Sequence, residues 1–307
     1  MQINKHWQGL DPSTRGTSVA MGNFDGVHLG HQAVIDLARA HGPLGIVTFE
    51  PHPREYFSPS APAFRLMSAE SRANRLAKLG VEQLFELPFD AEMAAFTPED
   101  FAREVLCDGL GIKHITVGAD FCFGKDRKGS ATDLQTLGPY YNFGVTIADL
   151  ISFGNREISS TAIRQALATG SPRDAAAMLG HWHRIEGEVI HGEKRGRELG
   201  YPTANMSVAG LHLPKFGVYA VKVDVLTGEH KGSYMGAGSL GVRPMFGQNT
   251  PNLESYIFDF NGDLYGQHLS VGLIDYLRPE VKFNGLPALM DQMAIDCANA
   301  REILGAL

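Results

Sequence analysis

The periodicity of this chain changes near Gly180, and that change restricts it to two differently built halves. Before it, short apolar runs at 17–21, 44–49, 83–87, 114–117 and 145–150 are separated by helical spacing at 32–40, 70–79 and 98–106. Such β-α alternation predicts an α/β domain with a doubly wound parallel sheet. Ligands of such sheets gather at the carboxyl ends of the strands. Helical patterns at 159–168 and 171–179 lead up to the change. After it come β-rich runs at 185–190, 218–225, 232–237, 253–260 and 268–276, with the turn pairs Thr227-Gly228 and Asn261-Gly262 between them. These predict a small antiparallel β-barrel, with one amphipathic helix at 286–304 packed on it. The expected domains are 1–182 and 183–307, and a length of 307 residues fits two domains.

Composition narrows the class. Hydrophobic residues make up 44%, enough for two cores. A net charge of −7 argues against a broad nucleic-acid surface. Cys107, Cys122 and Cys297 are odd in number and form no C-x-x-C pair, so neither a disulfide framework nor a zinc site is expected. The first residues carry no apolar signal core, and no apolar run reaches the ~18 residues of a membrane span. The expectation is a cytoplasmic protein with no nucleic-acid and no membrane partner.

Two strings carry chemistry. The first is Gly22-Asn23-Phe24-Asp25-Gly26-Val27-His28-Leu29-Gly30-His31, just after the first predicted strand, paired with Ile158-Ser159-Ser160-Thr161-Ala162-Ile163-Arg164. A glycine at position 30 lets backbone approach a phosphate. Imidazoles at a loop-to-helix junction, His28 and His31, donate to phosphate oxygens beside a helix N-terminus. Gly22, Phe24, Asp25 and Gly30 shape the same nucleotide loop. Ser159, Ser160 and Thr161 offer hydroxyls, and Arg164 a guanidinium, for the leaving pyrophosphate. Together these groups suit transfer at the α-phosphate of ATP, which needs positioning and charge stabilisation more than covalent chemistry.

The second string is Gly200-Tyr201-Pro202-Thr203-Ala204-Asn205, preceded by a glycine-rich stretch with Gly192, Lys194 and Gly196. Backbone N–H groups of such a stretch can wrap phosphates, although Glu193 after Gly192 rules out a Walker A loop. The Thr203 hydroxyl and Asn205 amide oxygen, two residues apart, can point together at magnesium, a hard cation that favours oxygen ligands.

On these residues the chain resembles the bacterial bifunctional riboflavin kinase/FMN adenylyltransferase (FAD synthetase) family over about residues 17–305. The resemblance implies a nucleotidylyltransferase-like first domain and a riboflavin kinase-like barrel. It implies phosphorylation of riboflavin to FMN in the barrel, then adenylylation of FMN to FAD in the first domain. It implies ATP as co-substrate, Mg²⁺ in both steps, and FMN and FAD as products. By resemblance His28 and His31 contact ATP phosphates, with Ser159, Thr161 and Arg164 completing that site. Thr203 and Asn205 bind magnesium with ATP, and Glu254 is the general base. Asp120-Phe121-Cys122-Phe123-Gly124 and Thr48-Phe49-Glu50-Pro51-His52-Pro53 resemble segments around the flavin and adenine, so Asp120, Phe121 and Phe123 are flavin candidates, as is Arg278, near Phe283. Cys122 and Met245 depart from the arginine and threonine usual at those places. The small-molecule partners are riboflavin, FMN and ATP; homo-oligomerisation and flavin-dependent apoenzymes as acceptors complete the expected partners. The rival readings are a chain with one working module, an adenylyltransferase for another phosphate-bearing substrate, and a flavin-binding regulator without turnover.

Overall fold

A computed structural model describes residues 1–153, 156–191, 200–242 and 250–307. Its backbone divides into two compact units, Met1–Pro62 with Ala69–Ser159, and Ala63–Ser68 with Ser160–Leu307.

The first unit is built on six parallel strands in the order β1-β4-β3-β2-β5-β8. They are β1 (Gln2–Asn4), β2 (Ser18–Met21), β3 (Leu44–Glu50), β4 (Gln83–Pro88), β5 (His114–Gly118) and β8 (Gly144–Ala148). Two short ribbons accompany the sheet: β6 (Cys122–Phe123) with β7 (Gly129–Ser130), and β9 (Ser152–Phe153) with β10 (Arg156–Glu157). The helices are α1 (Leu29–Arg39), α2 (Pro53–Phe57), α3 (Ala69–Lys78), α4 (Ala91–Ala95), α5 (Pro98–Asp100) and α6 (Ala131–Tyr140). A π-helical stretch, Phe101–Gly109, continues α5. Val19, Phe85, Leu106, Ile115 and Leu134 lie in one buried cluster between these elements. From β2 the chain steps outward through β3 and β4, then crosses to the other side of β2 with β5. The carboxyl end of β2 is therefore a topological switch point, where such sheets open a crevice for ligands.

The five predicted strands of this half form within a residue or two of their expected bounds. Helix α6 was hidden from pattern reading by Gly138 and Pro139. A capping box holds its start: Ser130 Oγ accepts from the Asp133 N–H while the Asp133 carboxylate accepts from the Ser130 N–H at 2.8 Å. A Cβ at Gly138 would meet the Phe143 carbonyl at 2.7 Å, so its backbone approaches too closely for any side chain.

The second unit opens with α7 (Ser160–Thr169) and α8 (Pro172–Leu179). Six antiparallel strands follow: β11 (Arg184–Glu188), β12 (Thr203–Ser207), β13 (Gly217–Val225), β14 (Gly232–Val242), β15 (Pro251–Ile257) and β16 (His268–Arg278). Their order is β11-β16-β13-β14-β15-β12, and a bridge between Ile190 and Asn205 brings the two ends together into a nearly closed barrel. Period-two alternation explains its two buried surfaces. Tyr219, Val221 and Val223 fill the barrel with Leu253, Val271 and Leu273. Ala220 faces outward and packs with Ile274 against Ala300 and Leu304 of α9 (Leu286–Gly305).

Candidate active sites

The first site begins where β2 ends. The Gly22 N–H bonds the Val47 carbonyl at 3.1 Å, and the chain then turns through Phe24 at φ 51° and Val27 at φ 44°. Non-glycine residues in this left-handed region each cost about 1–3 kcal/mol, and the surroundings must hold them there. The turn delivers His28 as the N-cap of α1, its Nδ1 accepting from the His31 N–H at 3.3 Å. With Nδ1 as acceptor, Nε2 carries the proton. The His28 and His31 rings stack at 3.6 Å and 16°, and the Phe24 ring leans on His31 at 5.1 Å. Gly30 lies close under the His28 ring: a Cβ there would stand 3.1 Å from it, and the ring would have to give by a few tenths of an ångström. Gly22 likewise faces the Phe24 ring, 3.7 Å from a Cβ built on it. Asp25 and His28 are buried. Burial, helped by the neighbouring His28, pushes the His31 pKa well below the usual imidazole range.

The structure thus gathers Gly22, Phe24, Asp25, His28, Gly30 and His31 into one loop-to-helix junction. Ser159 closes the first unit, while Ser160, Thr161 and Arg164 lie in the first turns of α7 in the second unit. Arg164 is held firmly: its Nε donates to the Phe64 carbonyl at 2.6 Å, its guanidinium lies 5.2 Å from the Phe64 ring, and its own carbonyl meets the His212 ring at 3.0 Å.

Asp120, Phe121 and Phe123 share the segment after β5. The Phe121 and Phe123 rings are parallel within 15° at 5.9 Å, but their surroundings differ. Phe123 is buried against Phe101, and Gly129 leaves room for its ring, where a Cβ would lie at 2.7 Å. Phe121 is half-buried and Asp120 exposed, so Phe121 is the outer ring of the pair.

The second site is a product of strand register. Asn205 on β12 stands directly opposite Glu254 on β15, and Thr203 opposite Tyr256. Since i and i+2 share a face, Thr203, Asn205 and Glu254 point the same way. Thr203 Oγ1 donates toward Glu254 Oε2 at 3.4 Å, and Asn205 Nδ2 toward Thr203 Oγ1 at 3.4 Å. Asn252, a residue the sequence reading did not single out, donates its amide to Asn205 Oδ1 at 3.1 Å and so fixes which end of the Asn205 side chain is oxygen. Its signal was present: it stands two residues before Glu254, on the same face of the strand.

Neutral oxygens beside one carboxylate fit magnesium, which keeps places for water and phosphate in its octahedral shell. Among the described residues no group of three His, Cys, Asp or Glu side chains could hold a metal. The Thr203 hydroxyl and the Asn205 amide oxygen are neutral oxygens of the kind such an ion takes. Gly192, Lys194 and Gly196 lie outside the described residues, as does Met245. Arg278 is engaged elsewhere: its guanidinium makes a bidentate pair with the buried Asp296, at 2.7 and 2.9 Å, and lies 5.6 Å from the Phe283 ring.

A parallel-sheet unit with two imidazoles at a helix N-terminus, followed in the chain by a barrel with neutral oxygens beside a carboxylate, has the make-up of a two-module transferase. Residues 10–162 match the FAD synthetase family model and residues 179–304 the riboflavin kinase model. The bifunctional riboflavin kinase/FMN adenylyltransferase of Pseudomonas fluorescens is 38% identical over 99% of this chain and 98% of that protein. The Bacillus subtilis protein of the same name is 35% identical over 91% of this chain and 89% of its own length. A solved structure of a macrolide-efflux protein from Streptococcus pneumoniae is 31% identical, covers 96% of both chains and superposes with a TM-score of 0.82. The chain belongs to the bifunctional riboflavin kinase/FMN adenylyltransferase family. No helix among the described residues is long and apolar enough to cross a membrane.

Proposed function

We propose the following division of labour for an enzyme that converts riboflavin to FMN and FMN to FAD. Residues 183–307 carry the kinase step and residues 1–182 the adenylyl transfer. The register that sets Glu254 opposite Asn205, on one face with Thr203, is the observation that supports this reading most.

In the kinase step the ribityl 5′-hydroxyl oxygen attacks the γ-phosphorus and ADP leaves. Glu254 accepts the hydroxyl proton as the new P–O bond forms. Thr203 Oγ1 and Asn205 Oδ1 would hold magnesium, which when bound would neutralise phosphate charge. Asn252 donates to Asn205 Oδ1 and holds that side chain in one orientation. Gly192, Lys194 and Gly196 wrap the ATP phosphates.

In the second step a phosphate oxygen of FMN attacks the α-phosphorus of ATP, and pyrophosphate leaves. The turn after β2 and the start of α1 bind the triphosphate through Gly22, Gly30 and the helix N-terminus. His28 Nε2–H and His31 donate to oxygens whose charge grows in the transition state. Ser159, Ser160, Thr161 and Arg164 take the pyrophosphate side. Phe121 offers the isoalloxazine a flat face, with Phe123 behind it and Asp120 at the rim. Arg278 orders the flavin end of the barrel through Asp296 and Phe283.

Chromatography of flavins after incubation with riboflavin, ATP and Mg²⁺, beside a reaction started from FMN, tests the scheme. FMN first and FAD later, with FAD also formed from FMN, is the expected result. FMN alone would leave a kinase with a silent first domain, and no product in either tube would favour a binding protein.

A further inference from the structure

Beneath the turn that carries His28 lies a buried charge cluster the proposed chemistry does not use. Arg72, on α3, is 3% exposed, as is Glu86 on β4. Arg72 Nη2 bonds Glu86 Oε2 at 2.9 Å and Glu50 Oε2 at 3.1 Å. Lys5 pairs with the other Glu86 oxygen. The second arm of the same guanidinium, Nη1, donates to the carbonyl of Asn23 at 3.3 Å. That carbonyl also accepts from Thr48 Oγ1, a fully buried hydroxyl, at 3.3 Å. Asn23 lies between Gly22 and the left-handed Phe24, whose ring rests on His31. At the far end of the turn the Val27 carbonyl is held by Gln32 Nε2 at 2.9 Å.

Burying the Glu86 carboxylate and the Arg72 guanidinium, with Glu50 half-buried beside them, is costly, and well-packed apolar residues often serve stability as well or better. What an apolar cluster cannot do is fix the direction of one carbonyl. Arginine's planar fork can: one arm is aligned by two carboxylates, and the other is then aimed at Asn23. Orientation of that peptide sets the turn on which both imidazoles depend.

We propose that Arg72, backed by Glu50 and Glu86, is a positioning residue for adenylyl transfer, acting through the Asn23 carbonyl on the turn that presents His28 and His31. This rests on the reading of those histidines as the nucleotide site. Lysine at position 72 keeps the charge but cannot span two carboxylates and a carbonyl in one plane.

The test compares full-length wild type with Arg72→Lys, Thr48→Val and His28→Asn, together with the Arg72→Lys/His28→Asn and Thr48→Val/His28→Asn double variants. FAD formation from FMN and FMN formation from riboflavin are measured on the same preparations. Arg72→Lys is expected to lower kcat for FAD formation about tenfold or more, with riboflavin phosphorylation and the melting temperature little changed. In the His28→Asn background it should cost no more than about twofold, because both changes act through one turn. Thr48→Val should show a smaller loss of the same kind. Equal losses in both reactions, or losses that multiply fully with His28→Asn, would overturn the proposal. So would wild-type FAD formation by Arg72→Lys or, should that variant misfold, by Thr48→Val. Wild-type protein that forms no FAD from FMN would instead strike the adenylyl-transfer reading beneath it.

Discussion

The two candidate sites of this chain are assembled by opposite means. His28 and His31 are close in sequence and meet because a strained turn becomes a helix N-terminus. Asn205 and Glu254 are far apart in sequence and meet because two strands pair in one register. The first arrangement needs left-handed residues, a glycine under a ring and a buried charge cluster below. The second needs only the barrel, since alternation delivers the side chains and cross-strand pairing sets their spacing. A turn can be distorted by one methyl group, whereas a register either holds or slips, and a one-residue slip would turn Glu254 toward the core.

Crossed substitutions probe the separation most directly. Glu254→Gln keeps the size and register of the β15 side chain but cannot accept a proton. Riboflavin phosphorylation should fall by about 10²–10⁴, the usual contribution of a general base, while FAD formation from supplied FMN stays at the wild-type rate. His28→Asn should reverse the pattern, lowering FAD formation by about 10²–10³ and sparing FMN formation. Separate initial rates with riboflavin and with FMN check both. A loss of both reactions in either folded variant would break the two-site comparison.

The contrast also explains what could be read from the chain. The parallel strands of the first unit were legible because β3, β4 and β5 are short apolar runs between polar segments. The His-x-Gly-His junction was legible because its parts are adjacent. Strand β12 was not, because Thr203-Ala204-Asn205-Met206-Ser207 follows a proline and lacks the apolar alternation of β13; without that strand, Glu254 had no partner that spacing could reveal. Arg72 gave no signal either. It stands mid-helix, where arginine ordinarily faces water, and its partners Asn23, Glu50 and Glu86 come from three other segments. The buried role of Phe123 was equally hidden, since an aromatic beside a glycine at a strand end reads the same whether it meets ligand or core.

A single methyl group sharpens the comparison further. At Gly30→Ala the new Cβ would lie 3.1 Å from the His28 ring, so that ring must give way by a few tenths of an ångström. Alanine is the better helix former by up to about 1 kcal/mol. Stability should therefore hold or rise while FAD formation drops about tenfold. Thermal melting and FMN-started kinetics on one preparation would show whether the two move apart. If FAD formation is unchanged, the ring contact is not critical and the turn is less exacting than its geometry implies.

The smallest effect concerns protons. His183, just before β11, is 3% exposed, and among the described residues its Nε2 has no hydrogen-bond partner. Burial first, then the nearby His181 and His212, pushes its pKa down to about 3. Above pH 6.5 the ring is neutral in folded and unfolded chains alike and contributes no pH dependence. As pH falls below 6.5 the unfolded chain takes up a proton that the folded barrel refuses, so stability falls by up to about 1.4 kcal/mol per pH unit. His31 has the same sign in the first unit, its pKa also being depressed by burial. His183→Phe removes the proton site from the second unit alone. Urea unfolding followed through Trp182 in a Trp7→Phe background reports that unit, because Trp7 belongs to the other. Between pH 7 and 5 the His183→Phe protein should lose about 2 kcal/mol less than its parent, whatever its absolute stability after repacking. An unchanged slope would mean that the folded barrel accommodates the charged ring. The acid sensitivity of this half would then have to come from its carboxylates, and the two units would differ in their buried histidines as they do in their sites.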